Sequence, residues 1–171
     1  MSSSVKKLVT SAVVGALYAV LTLVLAPISY GPVQCRVSEV LCIMPYFMPC
    51  TAWGLFFGCA IANIASTAGI ADIVFGSLAT LGACLCTAAC GKKGKKFLAC
   101  LMPVLWNGIV VGATLTVVIA GLNPIKNFGA FALFAGEVAL GEAVVMFAAG
   151  LPLISWLPKQ KFFSDYFNTV K

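Results

Sequence analysis

Arg36 and Glu39 stand three residues apart in a polar stretch, SYGPVQCRVSE (Ser29 to Glu39), between two long apolar segments. Arg36 is the sole arginine of the chain, and Glu39 is one of only 5 acidic residues. Tyr30 and Gln34 share the stretch. A guanidinium offers five N–H donors and a carboxylate only acceptors, and beside an apolar span both are costly unless each meets a partner. Two readings stand. Either the two residues pair with each other along one helix face, or they cap a pocket that takes a polar guest. Five further polar side chains interrupt apolar segments: Asn63, Asp72, Asn107, Glu137 and Glu142.

These residue types exclude several chemistries. There are 0 histidines, and neither G-x-S-x-G nor a phosphate-loop pattern occurs; GKKGKK (Gly91 to Lys96) lacks the required spacing and the Ser or Thr. The 8 cysteines contain no C-x-x-C pair, so they read as small apolar fillers rather than metal ligands. No metal, no cofactor and no enzymatic activity are expected.

A composition of 61% hydrophobic and 9% charged residues, with mean hydropathy +1.05, rules out an ordinary soluble domain, where about a quarter of residues are charged. In lipid every backbone N–H and C=O must bond internally. Apolar runs of about 20 residues without period-2 alternation make the solution helical rather than a barrel. The expected fold is an all-α membrane domain over residues 1–171, with six transmembrane helices at about 8–26, 38–48, 51–68, 71–90, 97–119 and 128–151. The first of these is expected to be a helix, not a cleaved leader. Ser38 is a plausible N-cap of the second, with Glu39 in its first turn, and Pro45 and Pro49 shorten or break it. The stretch from Pro158 to Lys171 reads as a polar tail.

With six spans both termini lie on one side. Lys6, Lys7, the four lysines of GKKGKK, Lys159, Lys161 and Lys171 then share that side, and only Arg36 and Lys126 fall on the other. This asymmetry makes the lysine side cytoplasmic, and it assigns the net charge of +6 to membrane orientation rather than to nucleic acid.

The same topology sorts the polar residues by depth. Glu39 and Asp72 begin helices at the outer face, and Asn63 lies in the outer half. Asn107 is about 15 Å from the cytoplasmic side, Glu137 about 13 Å below the outer face and Glu142 deeper. Four carboxylates against one arginine suit a cationic or N–H-rich ligand. Glu39 and Glu137 are the preferred ligand contacts, followed by Asp72. Glu142 lies about 140° around the helix from Glu137 and is assigned to structure or to a partner. Asp72 could equally be a helix N-cap, and Asn63 an interhelical hydrogen bond. On the first helix Ala12 with Ala16, and Gly15 with Ala19, give small residues four apart, the spacing that lets another helix approach closely. That helix belongs either to the same chain or to a partner.

SYGPVQCRVSEVLCIMPYF (Ser29 to Phe47), GLFFGCAIANI (Gly54 to Ile64) and ADIVFGSLATL (Ala71 to Leu81) resemble the QueT family, the substrate-binding (S) components of energy-coupling-factor transporters for queuosine precursors. The resemblance implies a multi-pass protein of a prokaryotic plasma membrane whose outward-facing site is capped by the loop between helices one and two. It implies a 7-deazaguanine ligand, such as queuine or preQ1, and docking on a transmembrane coupling protein with two ATPases. Ala12 and Ala16 match the family's partner-facing pattern. For such a ligand, carboxylates would accept from the guanine-like N–H edge, and Arg36, Gln34 or Asn107 would donate to its carbonyl. Tyr30, Phe75 and Trp106 are candidates for aromatic walls. The alternatives are an S component for another vitamin and a stand-alone proton-coupled carrier.

Overall fold

A computed structural model describes residues 2–29 and 35–170; Tyr30 and Gln34 therefore lie outside the described residues, as does most of the expected capping loop. All the regular structure among the described residues is helical. Helix α1 is Ser3–Val24, capped where the Ser2 side chain accepts from the Val5 N–H, and a short helical turn, Ala26–Ser29, follows it. Next come α2 (Val37–Phe47), α3 (Thr51–Ala65), α4 (Asp72–Lys92), α5 (Lys96–Val118) and α6 (Phe128–Lys159). The last helix, α7, is Lys161–Val170. Helices α1, α4, α5 and α6 are long and apolar enough to cross a membrane, and α2 and α3 are apolar but shorter.

Prolines explain the irregular segments. Pro45 has no N–H for the carbonyl of Leu41, which the Met44 N–H takes instead. The first part of α2, Val37–Ile43, is accordingly wound as a 3-10 helix. Seven such residues and four α-helical ones reach about 20 Å, less than the roughly 30 Å hydrocarbon layer. In α6 the turn Met146–Gly150 widens to a π-helix, with the Leu151 N–H reaching back to the Met146 carbonyl. The widening comes directly before Pro152, whose ring would crowd a regular turn. The helix thus runs on to Lys159 instead of stopping near residue 151.

Pro103 sits inside α5 and leaves the Ala99 carbonyl without its usual donor. The hydroxyl of Thr87, from α4, donates to that carbonyl at 3.1 Å, and Thr87 is fully buried. Thr87→Val, which keeps shape but removes the donor, is expected to cost about 1–3 kcal/mol. Thermal unfolding of the detergent-solubilised protein would read this as a midpoint several degrees lower, with Thr87→Ser near wild type.

Small residues bring the long helices together. A Cβ on Gly15 would land on the Gly54 carbonyl, one on Gly54 on the Ser11 carbonyl, and one on Gly58 on the Gly15 carbonyl. The Ser11 hydroxyl reinforces this α1–α3 seam, donating to the Cys50 carbonyl at 2.8 Å and accepting from the Gly54 N–H at 2.9 Å. Between α5 and α6, Gly112 packs on Ala135 and Gly108 on Ala139. Gly94, at φ 66, turns the chain from α4 into α5, where the Lys95 N–H bonds the Cys90 carbonyl at 3.1 Å.

The polar tail forms a helix over Lys161–Val170. Phe163 and Phe167 of α7 stack edge-on against Phe47 at 5.2 and 6.2 Å, and the Tyr166 hydroxyl is 2.7 Å from that of Thr10. Aromatic residues three to four apart (Phe162, Phe163, Tyr166, Phe167) were the sequence signal for it.

Candidate binding site

Among the described residues four charged side chains are buried: Arg36 at 5% exposure, Glu39 and Asp72 at 0%, and Glu142 at 2%. All four lie away from the lysine-rich turn between α4 and α5, Arg36 and Asp72 at the opposite end of α4. Arg36 and Glu39 come from the start of α2, Asp72 from α4 and Glu142 from α6.

Arg36 precedes the first turn of α2 and makes no helix-capping bond with its side chain. Its guanidinium reaches α4 and donates to Asp72 Oδ2 at 3.0 Å, a buried ion pair. The partner of Arg36 in this pair is therefore Asp72, 36 residues away, and not simply its neighbour Glu39. Asp72 opens α4 inside a π-helical turn, Asp72–Gly76, a distortion that recurs at functional sites. Its Oδ2 also accepts from the Ser66 hydroxyl at 2.6 Å. Asn63 does act between helices: its Nδ2 donates to the Asp72 carbonyl at 2.8 Å. Asp72 Oδ1 and Asn63 Oδ1 are buried acceptors with no hydrogen-bond donor among the described residues.

Glu39 is held by α1 and by its own helix. The Tyr18 hydroxyl donates to Oε1 in a short hydrogen bond, and the Cys42 thiol points to Oε2 at 2.9 Å. Ser38, expected as an N-cap, instead meets Thr22 hydroxyl to hydroxyl at 2.6 Å. That bond ties the start of α2 to α1. Neither Tyr18 nor Cys42 was marked by sequence; Cys42 lies one helical turn after Glu39, but Tyr18 is 21 residues before it and has no local signal.

The two acidic residues of α6 exchange their expected positions. Glu137 is exposed and does not join the cluster. Glu142 is buried, accepts from Asn107 Nδ2 at 3.1 Å, and lines one cleft with Arg36. The physical reason is the rotation of α6. Its Ala135–Ala139 face packs on the glycines of α5, and Glu142, three residues beyond Ala139, continues that face. Glu137 lies on another.

Phe75 and Trp106 do not wall the cluster either. At 52% and 39% exposure, they line apolar clefts on the outside of the bundle. Trp106 adjoins Asn107, and adjacent helical residues point about 100° apart, so an inward amide turns the indole sideways over Gly82. The walls that are present are Val111 and Val138. With Arg36, Asn107 and Glu142 they line a narrow cleft of about 10 Å³, far below the 300–1,000 Å³ of typical ligand pockets.

The cluster thus holds three carboxyl groups and one guanidinium, with neutral donors from Tyr18, Cys42, Ser66, Asn63 and Asn107. Acceptor capacity and negative charge exceed what the described residues supply. Such a site can take a flat, N–H-rich molecule, most readily one with a positive charge.

The small residues of α1 divide between two environments. Gly15 and Ala19 are buried within the chain, Gly15 in the α1–α3 seam, where it forms the floor of an outer groove. Ala12 and Ala16 are exposed and border an apolar groove shared with Trp53, Phe57 and Ile61.

The family profile described as QueT transporter matches residues 8–159. A curated relative, "Queuosine precursor transporter QueT" from Lactococcus lactis subsp. cremoris (strain MG1363), is 42% identical over 76 residues, which covers 43% of this chain and 44% of that protein. The aligned stretch therefore spans less than half the length of the relative. No solved structure gives a significant match.

Proposed function

The chain belongs to the QueT transporter family, and on that premise we propose that it is the membrane-embedded substrate-binding subunit of an energy-coupling-factor importer for a queuosine precursor. The ligand is a 7-deazaguanine such as preQ1 or queuine, taken from outside the cell. The name of the L. lactis relative supports the substrate class. The observation that carries the reading is the surplus of buried acceptors around Arg36. A guanine-like edge presents ring and exocyclic N–H groups, the complement of Asp72 Oδ1, Asn63 Oδ1 and the carboxyl groups of Glu39 and Glu142. Arg36 and Asn107 donate to the ligand carbonyl, and Val111 and Val138 cover the ring faces. An aminomethyl group, cationic near neutral pH, offsets the excess negative charge. A site built of hydrogen-bonding groups rejects analogues lacking them far better than an apolar pocket does.

The cleft must widen to admit a bicyclic base. The short 3-10 segment of α2, which carries Arg36 and Glu39, is the element whose displacement would do so. In this reading α1 to α6 are six spans, with both termini and the lysine end in the cytoplasm of a prokaryotic cell. Ala12 and Ala16 meet the transmembrane coupling protein, and partner ATPases hydrolyse the ATP. Neither catalytic residues nor a cofactor are assigned to this chain.

The test is ligand binding by the purified protein without partners. preQ1 or queuine should raise the thermal midpoint and change tryptophan fluorescence, while thiamin, riboflavin and pyridoxine should not. Failure of both deazaguanines, or an equal response to an unrelated vitamin, overturns the substrate assignment. Uptake by this chain alone, driven by a pH gradient, would replace the importer reading with a proton-coupled carrier.

A further inference from the structure

The lysine end contains a second cavity, separate from the buried polar cluster, of about 580 Å³. Lys7 of α1 and Lys92 of α4 both line it, together with Tyr46, Cys50 and Phe167, and among the described residues no acidic one does. Its walls come from segments far apart in sequence. Gly91 lets the end of α4 press against the end of α2, since a Cβ there would strike the Tyr46 carbonyl. α3 brings its amino-terminal end, with Cys50 in the cap position making no side-chain capping bond. The partial positive charge of that helix end favours an anion. The carboxyl end of α4 opposes one, and Lys92 in its last turn offsets that opposition.

We infer that this cavity binds the phosphate headgroup of an anionic phospholipid, between Lys7 and Lys92. Two observations favour a lipid over a soluble anion or an acidic protein segment. First, apolar surface for acyl chains begins next to the cavity. The outer groove of the α1–α3 seam starts at Leu8, one residue after Lys7, and at Trp53, three after Cys50. Leu8 is 71% and Trp53 56% exposed. Second, α7 is amphipathic and begins at Lys161, two residues after Lys159, with Phe162 85% exposed. An exposed aromatic ring beside lysines suits the interface plane of a membrane. The helix sets the cavity, which Phe167 borders, at headgroup depth. Basic pockets between helices at this depth are where anionic headgroups bind.

The probe is phosphatidylglycerol against phosphatidylcholine, added to the full-length detergent-purified protein. Bound lipid is counted by native mass spectrometry. Each lysine near the headgroup contributes about a fivefold preference. Wild type should therefore retain phosphatidylglycerol at least tenfold better, and Lys7→Gln/Lys92→Gln should lose most of that preference. Lys95→Gln/Lys96→Gln, which removes the same charge outside the cavity, should keep it. Equal loss in both double variants would mean diffuse surface attraction and overturn the site. Displacement of phosphatidylglycerol by millimolar inorganic phosphate would make it a free-anion site. No preference in the wild-type protein would overturn the proposal and leave the lysines to an acidic partner segment.

Discussion

Glu142→Gln is expected to weaken binding of preQ1 by more than about tenfold while the protein still inserts and folds. Tenfold is about 1.4 kcal/mol, and a hydrogen bond to a charged group contributes about 1.5–3 kcal/mol. The amide keeps the shape of the side chain and can still accept from Asn107 Nδ2, now 3.1 Å away. What it loses is the carboxyl group, the one acidic function that lines the cleft beside Arg36. The substitution thus separates ligand recognition from packing. Glu137→Gln is the matched control, since Glu137 is exposed and away from the cleft; its affinity should equal wild type. Titration calorimetry of both variants with preQ1 decides the matter. A loss confined to Glu137→Gln would move the site out of the cleft altogether.

The second large effect concerns the ion pair between α2 and α4. Asp72→Asn removes the counter-charge from a guanidinium that is only 5% exposed, and Arg36→Gln strands the carboxylate. Breaking a buried pair from one side costs about 3–5 kcal/mol. For a chain of this size that lowers the thermal midpoint by on the order of 10 °C. Asp72→Asn also exchanges a charged acceptor of the Ser66 hydroxyl for a neutral one. Replacing both members, as in Arg36→Met/Asp72→Leu, removes the desolvation penalty along with the attraction. The double variant should unfold well above the midpoint expected from adding the two single losses, yet bind no ligand. Strict additivity would show that the two groups do not act as a pair.

Membrane character was readable from the sequence because it is a sum. Apolar residues accumulate over some twenty positions, and no single side chain can reverse the total. The lysine asymmetry is the same kind of quantity. The presence of a polar cluster was also legible, since buried Arg and Glu residues in apolar segments demand partners wherever they end up. Asn107 with Trp106 shows how far local spacing reaches. Helical geometry dictates that the two point apart, but not which of them faces inward.

Rotation and pairing belonged to the tertiary structure. Glu137 and Glu142 cannot share a face, and α6 was free to present either until Gly108 and Gly112 of α5 closed on Ala139 and Ala135. The clue lay in the matching small residues of two helices, which carry information only when the helices are set side by side. Arg36 chose Asp72, and Glu39 chose Tyr18, over separations of 36 and 21 residues. A ladder of hydrogen bonds repeating every few residues can be read along the chain. A contact between helices depends on the angle and depth at which they meet, and those are settled by packing across the whole bundle.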